Sequence, residues 1–388
     1  YTYDALGQLK RENNVDLNKT IVYTYDNGGN ITKRTEYPYT IGTLGTATKT
    51  ISYSYDSLGR IVAETEKTQG ADEYRFASNY TYDISNNLTT LVNTADGLAV
   101  TTKYTFDTAN RPTKSYLNSY VDHQYTYDTL GRINYTTLNF KGDKTVKVDY
   151  TYANAANRSA DDVTYITSQI SKEEIGGRGY SYVYDAVGNI KEIKEKKKSG
   201  GSYSTKAKYT YDDLGQLETE INVDLGQKIS YTYNPGGNIK TKKIYAYSNG
   251  TVGALQKTIS YSYDGTWKDK LTKYDGDSIT YDAIGNPKTY RDGMTFTWQG
   301  RQMKTAKTTS GTSVSYKYNA DGLRTYKKVG STVHQYEYSG DKLFYEKRGD
   351  IKFHYRYDVN GNLMSVTRLK ANGDKFTLYA VCNSRGDV

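Results

Sequence analysis

Carboxylates are the side chains with the widest chemical reach in this sequence, because an Asp stands beside a turn signal again and again along its 388 residues. Two carboxylates at a fixed separation can hydrolyse a glycosidic bond. Repetition argues against that use: an Asp in almost every turn is a turn former rather than half of a unique pair. His123, His334 and His354 are scattered, lack the Cys or carboxylate spacing of a metal centre, and read as ordinary strand residues. Asp275-Gly276-Asp277 lacks the further ligands of a calcium loop and reads as a polar turn. One cysteine, Cys382, excludes an intrachain disulfide framework and reads as an unpaired, core-like thiol. The expectation is therefore a chain with no catalytic residues, no metal and no cofactor.

A net charge of +9 with 14% aromatic residues invites a nucleic-acid reading, since bases stack on Tyr and phosphates attract Lys and Arg. The 52 basic and 43 acidic residues are interspersed, however, and only Lys194 to Lys198 is dense. That distribution describes a solvated surface and no specific nucleic-acid partner. An acidic wall polymer or an acidic cargo would meet the same surplus. No apolar run approaches the length of a membrane span.

The elements that position the Asp residues emerge from self-similarity. A ladder of Tyr-Asp pairs, each followed by a Gly three positions on, runs the length of the chain. Its rungs include Tyr3-Asp4 with Gly7, Tyr25-Asp26 with Gly29, Tyr55-Asp56 with Gly59, Tyr127-Asp128 with Gly131 and Tyr184-Asp185 with Gly188. Tyr211-Asp212 with Gly215, Tyr281-Asp282 with Gly285 and Tyr357-Asp358 with Gly361 continue it, with a degenerate copy around Tyr152. A longer repeat overlies the first: residues 3–56 recur at 211–264, displaced by 208 positions without a gap, and Lys49 to Asp56 reappears unchanged as Lys257 to Asp264. A duplicated tract supplies lattice positions, not a single chemistry.

Within one unit, Ile51, Tyr53 and Tyr55 alternate with Ser52 and Ser54 at the two-residue period of a strand. Asp56 is placed to accept hydrogen bonds from the turn backbone and Gly59 to supply the positive φ that closes a hairpin loop of four or five residues. Residues 60–67 then run back. Tyr rings are expected to stack along neighbouring strands. Helical periodicity is nearly absent, and the charged stretch Lys191 to Lys198 reads as a hairpin tip, as does the Gly/Ser-rich Ser199 to Ser202. At two strands per unit the chain holds on the order of 30 strands, and open sheets rarely exceed about 10 without curling. The expectation is all-β: a long antiparallel β-hairpin array coiled into a spiral sheet. With 36% hydrophobic residues, 44 Tyr and a mean hydropathy of -0.81, aromatics rather than a thick aliphatic core must carry the packing.

The ladder resembles the YD, or Rhs, repeats of bacterial Rhs and wall-associated polymorphic toxin proteins, Tc toxin shells and teneurins. More specific blocks, similar to those that precede the core segment in bacterial members, are Trp298-Gln299-Gly300-Arg301, Asn319-Ala320-Asp321-Gly322-Leu323-Arg324 and Tyr355-Arg356-Tyr357-Asp358-Val359-Asn360-Gly361-Asn362-Leu363. The resemblance implies a hollow shell of β-hairpins around a C-terminal toxin, in a secreted or cell-surface bacterial protein. It also implies that 1–388 is a single array within a larger protein. Residues 291–388 would be the last repeats before a core segment that the chain lacks, since no Asp-Pro-rich cleavage motif follows Val388. Arg385-Gly386-Asp387 falls where the family carries a turn and so reads as coincidental. The partners implied are the protein's own toxin cargo or, in an adhesion role, a cell-surface polysaccharide held by exposed tyrosine rows.

Overall fold

The computed structural model describes residues 1–68, 75–140, 144–154 and 166–381. Cys382 and the Arg385-Gly386-Asp387 tripeptide lie outside them. The described residues form 33 strands and one three-residue 3-10 turn, Arg291–Gly293, in antiparallel sheets of 23 and 10 strands. Within each sheet the strands pair with their neighbours in sequence, as in Lys19–Tyr25 with Ile31–Pro38 and Lys49–Tyr55 with Ile61–Thr68. No closed barrel forms among the described residues, and the all-β hairpin array expected from the sequence is the observed architecture.

Each motif strand ends in the same irregularity. Tyr25 pairs with Ile31 while Thr24 pairs with Lys33, leaving Thr32 as an extra residue; the shift recurs at Tyr55, Tyr184, Tyr211 and Tyr357. A bulge of this kind bends the strand and increases its right-handed twist. A repeat that places one beside nearly every turn compels a long sheet to coil.

Lys191 to Lys198 is not a hairpin tip. Residues Ile190–Lys196 form a strand paired with Arg178–Tyr184 on one side and Ser204–Tyr211 on the other, and the turn falls at Ser199-Gly200. The lysines are tolerated there because acids face them: Lys196 pairs with Glu174 and Lys194 lies 3.6 Å from Glu192. Ion pairs across a sheet offset the charge repulsion that made the stretch read as a tip.

The chain divides into two compact units, one of residues 1–124 with 296–388, the other of residues 125–295. In the first, buried Phe76, Ala95, Phe344 and Tyr345 form a small cluster in which the Phe76 and Phe344 rings meet edge to face at 5.6 Å. Elsewhere the buried hydrophobics are mostly single residues at equivalent strand positions, such as Ile21, Ile51, Ile229 and Ile259.

Candidate functional site: the repeat turn and the polar seam

The motif turn is closed by its Asp. In Asp26-Asn27-Gly28-Gly29 the Gly29 N–H donates to the Asp26 carbonyl at 3.1 Å, and the Asp26 N–H reaches the Asn30 carbonyl at 3.0 Å. Asp26 Oδ1 accepts the N–H groups of Gly28 and Asn30, and Oδ2 accepts the Asn30 side chain. Asp at the first and Gly at the fourth turn position is the preference of a type I turn. Gly29 follows in the left-handed region at φ 85°. Asp56, Asp128, Asp185, Asp282 and Asp358 repeat the pattern, their Oδ1 accepting the N–H of the residue four positions on. Oδ2 takes the side chain of that same residue: Arg60, Arg132, Asn189, Asn286 or Asn362. Asp212, followed by Gln216, makes the Oδ1 bonds. Gly59, Gly131, Gly188, Gly215, Gly285 and Gly361 all have positive φ. The Asn30 side chain first, then its backbone N–H, hold the Asp26 carboxyl below its ordinary range. Asp56 is lowered likewise, first by the Arg60 N–H.

The motif Tyr has a role that strand periodicity did not reveal. Its hydroxyl donates to a backbone carbonyl in the preceding hairpin: Tyr25 to Leu9 at 2.7 Å, Tyr55 to Ile31 at 2.8 Å and Tyr184 to Ile170 at 2.6 Å. Tyr211, Tyr281 and Tyr357 reach Ile190, Leu271 and Leu343 in the same way. The acceptor residue follows the previous loop, so each phenol ties one repeat to the one before. Tyr127 lies in the strand Tyr120–Tyr127. Rings do meet along neighbouring strands, as where Tyr261 and its cross-strand partner Tyr274 pack edge to face at 5.3 Å, and guanidinium groups cover other rings, with Arg60 4.6 Å over Tyr82 and Arg132 4.1 Å over Tyr152.

A second feature lies inside the first unit, where strands some 230 to 290 residues apart in sequence face each other. Arg356, 3% exposed, bonds to Asp122, to Ser365 Oγ and Thr102 Oγ1 at 3.1 Å, and to the Tyr116 carbonyl at 3.1 Å. Asp122 also accepts the Ser115 hydroxyl at 2.8 Å. Burial pushes the Asp122 carboxyl up, but the His123 imidazole 3.5 Å away and the bonded Arg356 guanidinium outweigh it, and the group stays well below its ordinary range. Arg34 donates to both oxygens of Asp321, at 2.8 and 2.9 Å, and Arg75 pairs with Glu337. Lys352 lies 2.8 Å from Asp96, whose carboxyl this bond pulls down to about 2. Burial first, then the charge of Glu66, raises Glu64 to about 7; burial likewise raises Glu337 to about 7 against the opposing charge of Arg75. The three histidines all sit on strands, His123 and His354 buried. Asp275-Gly276 is a tight turn with both φ values positive. The seam's residues were missed although Asp321 and Arg356 sit within the blocks singled out above. The available signal was alternation, which puts Arg356 on the same inward face as His354.

The repeating bulged turn, the phenol that ties each hairpin to the last, and the ion pairs that join the two sheets within the first unit define a YD-repeat hairpin array. The chain belongs to the YD-repeat, or Rhs-repeat, family. It is 30% identical over 293 residues, 69% of its length, to the tRNA3(Ser)-specific nuclease WapA of Bacillus spizizenii, and 29% identical over 292 residues to the tRNA nuclease WapA of Bacillus subtilis. It spans 11% of the length of each of these relatives. Among solved structures, TcdB2-TccC3 without its hypervariable C-terminal region matches 97% of this chain and 21% of its own, with a TM-score of 0.58 at 13% identity, a likeness of fold. No family model matches the chain. No helix among the described residues is long and apolar enough to cross a membrane.

Proposed function

We propose that this chain is a non-enzymatic wall segment: one continuous repeat array within a longer secreted or cell-surface bacterial protein, helping to enclose or display a C-terminal toxin. The observation that carries this reading is the fate of the motif carboxylates. In most repeats three of the carboxylate's roughly four acceptor sites are filled by donors of its own turn, which ties both oxygens to the turn rather than to a substrate. The relatives supply the class of cargo. Both are nucleases by name, the matched stretch is 11% of their length, and on this reading their chemistry resides in other segments, so the cargo here would be a nuclease-type toxin. A polysaccharide partner has less support, because the motif phenols are already spent on backbone carbonyls. In the same way the Lys194–Lys198 cluster meets Glu174, Glu192 and Asp224, which weakens any phosphate-binding role.

The test is limited proteolysis of the full-length parent protein. The segment C-terminal to the array is expected to resist protease in the intact protein and to become digestible when Asp122→Ala opens the seam. Equal digestion in both proteins refutes enclosure, and tRNA cleavage by the isolated chain refutes the non-enzymatic role.

A further inference from the structure

The chain has four Asn-Gly steps, at Asn27, Asn249, Asn360 and Asn372. A glycine after an asparagine leaves the side-chain amide open to attack, because no side chain shields the backbone nitrogen that can reach its carbonyl carbon. Three of the four are closed to that attack by their own turns. The Gly28 N–H donates to Asp26 Oδ1 at 2.9 Å, and the Gly361 and Gly373 N–H groups donate to the Asp358 and Lys370 carbonyls at 3.0 Å. The Asn372 side chain is held as well, its amide donating to Asp374 Oδ2 at 3.0 Å and its carbonyl accepting the Asp374 N–H at 3.1 Å.

Asn249 differs. With Gly250 it makes the turn that joins the strands Ile239–Ser248 and Thr251–Tyr263, at φ values of 50° and 83°. A two-residue hairpin turn is closed by its flanking residues, here Ser248 and Thr251, and the Gly250 N–H is left without an acceptor among the described residues. Both turn residues are exposed, and no atom comes within 4 Å of the place a Gly250 Cβ would occupy. The arm beyond them is exposed from Thr251 to Thr258, and its ladder is irregular between Ile244 and Tyr245 and again between Tyr245 and Tyr247. A solvated, interrupted ladder opens locally at little cost, and each opening lets the Gly250 nitrogen reach the Asn249 side chain.

We propose that Asn249 is a modification site, converting spontaneously to isoaspartate and thereby releasing the arm that runs from Tyr245 to Leu255. The Gly250 nitrogen gives up its proton and bonds to Asn249 Cγ, the Cγ–Nδ2 bond breaks, and ammonia leaves with the proton. Water then opens the five-membered imide. Opening at Cγ returns an ordinary aspartate, whereas opening at the backbone carbonyl carries the chain through Cβ and Cγ and lengthens it by one carbon. Asp-Gly suits the same turn as Asn-Gly, so the first product leaves the arm in place. A turn of two residues has no slack for a further backbone carbon, and the second product breaks the pairing of Ser248 with Thr251. The step consumes only water and is independent of what the array encloses.

Peptide mapping by mass spectrometry of the full chain, aged at mildly alkaline pH, tests the site, with isoaspartate told from aspartate by fragmentation. Asn249 is expected to convert at least about fivefold faster than Asn27, Asn360 or Asn372, the worth of the one net hydrogen bond that their glycines must first break. The four rates should converge when the chain is unfolded in urea. Conversion at Asn249 no faster than at the other three, or a lead that persists in urea, overturns the site. Hydrogen exchange tests the consequence: the amides paired between Tyr245 and Leu255 should lose protection in molecules carrying isoaspartate and keep it in a freshly prepared Asn249→Asp chain. Full protection in the isoaspartate molecules, or an equal loss in Asn249→Asp, overturns the release of the arm.

Discussion

Residues 3–56 and 211–264 are two copies of one stretch of sequence, in different compact units, and they have folded alike at every turn and unlike at two places between the turns. The likeness is close. Tyr55 bonds to the Ile31 carbonyl and its counterpart Tyr263 to that of Ile239, both at 2.8 Å, and Ile51 and Ile259 are buried alike. The first difference is Arg34-Thr35-Glu36, all buried in the first copy, against half-buried Lys242-Lys243-Ile244 in the second. Arg34 has Asp321 of a facing layer as its partner, whereas Lys242 lies 5.9 Å over the Tyr231 ring of its own sheet. The second is the stretch before the identical Lys-Thr-Ile-Ser-Tyr-Ser-Tyr-Asp: irregular over residues 39–48, but a hairpin arm over residues 247–256. The motif therefore carries its conformation with it, while strand interiors answer to whatever lies against them.

The largest effect is expected where the first unit has something the second copy lacks. Asp122→Ala leaves the Arg356 guanidinium buried with no counter-charge, a change that typically costs about 3–5 kcal/mol. Hydrogen exchange under increasing urea should show early opening of the strands Tyr120–Tyr127 and Ile351–Tyr357, with protection in 211–264 unchanged. Equal loss in both regions would show that the two units unfold as one and would break the distinction between them.

An effect nearly as large follows from Glu64 and Glu337. Both have folded-state values near 7, above the ordinary value of 4.5. The protonated form is the one the folded state favours, so their contribution is complete below about 4.5 and is lost as pH rises through about 7. Asp96, depressed to about 2, contributes fully above about 4 and adds no slope in that window. The first unit is therefore expected to lose on the order of 4 kcal/mol between pH 5.5 and 8.5, about 2 from each group, and the second copy, with no equivalent carboxylates, very little. Urea midpoints at the two pH values measure it. Glu64→Gln should flatten the slope, and a slope unaffected by that substitution would point to other groups.

Next comes the shared part of the comparison. Tyr55→Phe and Tyr263→Phe each remove one phenol bond, worth about 1 kcal/mol, and the two losses are expected to be equal because the bonds are. Unequal losses, read from the local opening free energies of the paired strands, would mean that the motif is not independent of its surroundings.

What was legible in the sequence divides along the same line. The strand period, the Asp and Gly of the turn and the need for the sheet to coil are local properties, and Tyr55, Asp56 and Gly59 announced them. The bond from each Tyr to the previous hairpin was not legible, because its acceptor is a backbone carbonyl that any residue provides. The seam was illegible for another reason: the pairing of Asp122 with Arg356, or of Arg34 with Asp321, depends on which turn of the coil faces which, and no local pattern encodes that. The strand Ile190–Lys196 was misread because the acid that neutralises Lys196, Glu174, lies two strands away, where no local pattern reveals it.

The smallest effect concerns the hairpin arm, whose cause lies in two positions of the duplication. Pro38 ends its strand, for a proline cannot donate to a ladder, and Ala246 at the equivalent place lets the strand run on to Ser248. Beyond it, Ile41-Gly42 becomes Asn249-Gly250, which takes φ values of 50° and 83° and closes a two-residue turn between Ser248 and Thr251. Asn-Gly favours that turn because both residues tolerate positive φ, while a β-branched Ile resists it. Asn249→Ile is therefore expected to cost the arm about 1 kcal/mol, the usual penalty of a left-handed residue with a Cβ. The arm is exposed and bears little on the rest of the sheet, so the global midpoint should stay put while the amides paired between Tyr245 and Leu255 exchange faster. The reciprocal change, Pro38→Ala with Ile41→Asn, should bring measurable protection to residues 40–44 of the first copy. If neither variant alters exchange, the arm is set by something other than these two residues, and the contrast between the copies must be sought in the alanine and leucine that replace Thr46 and Ala47.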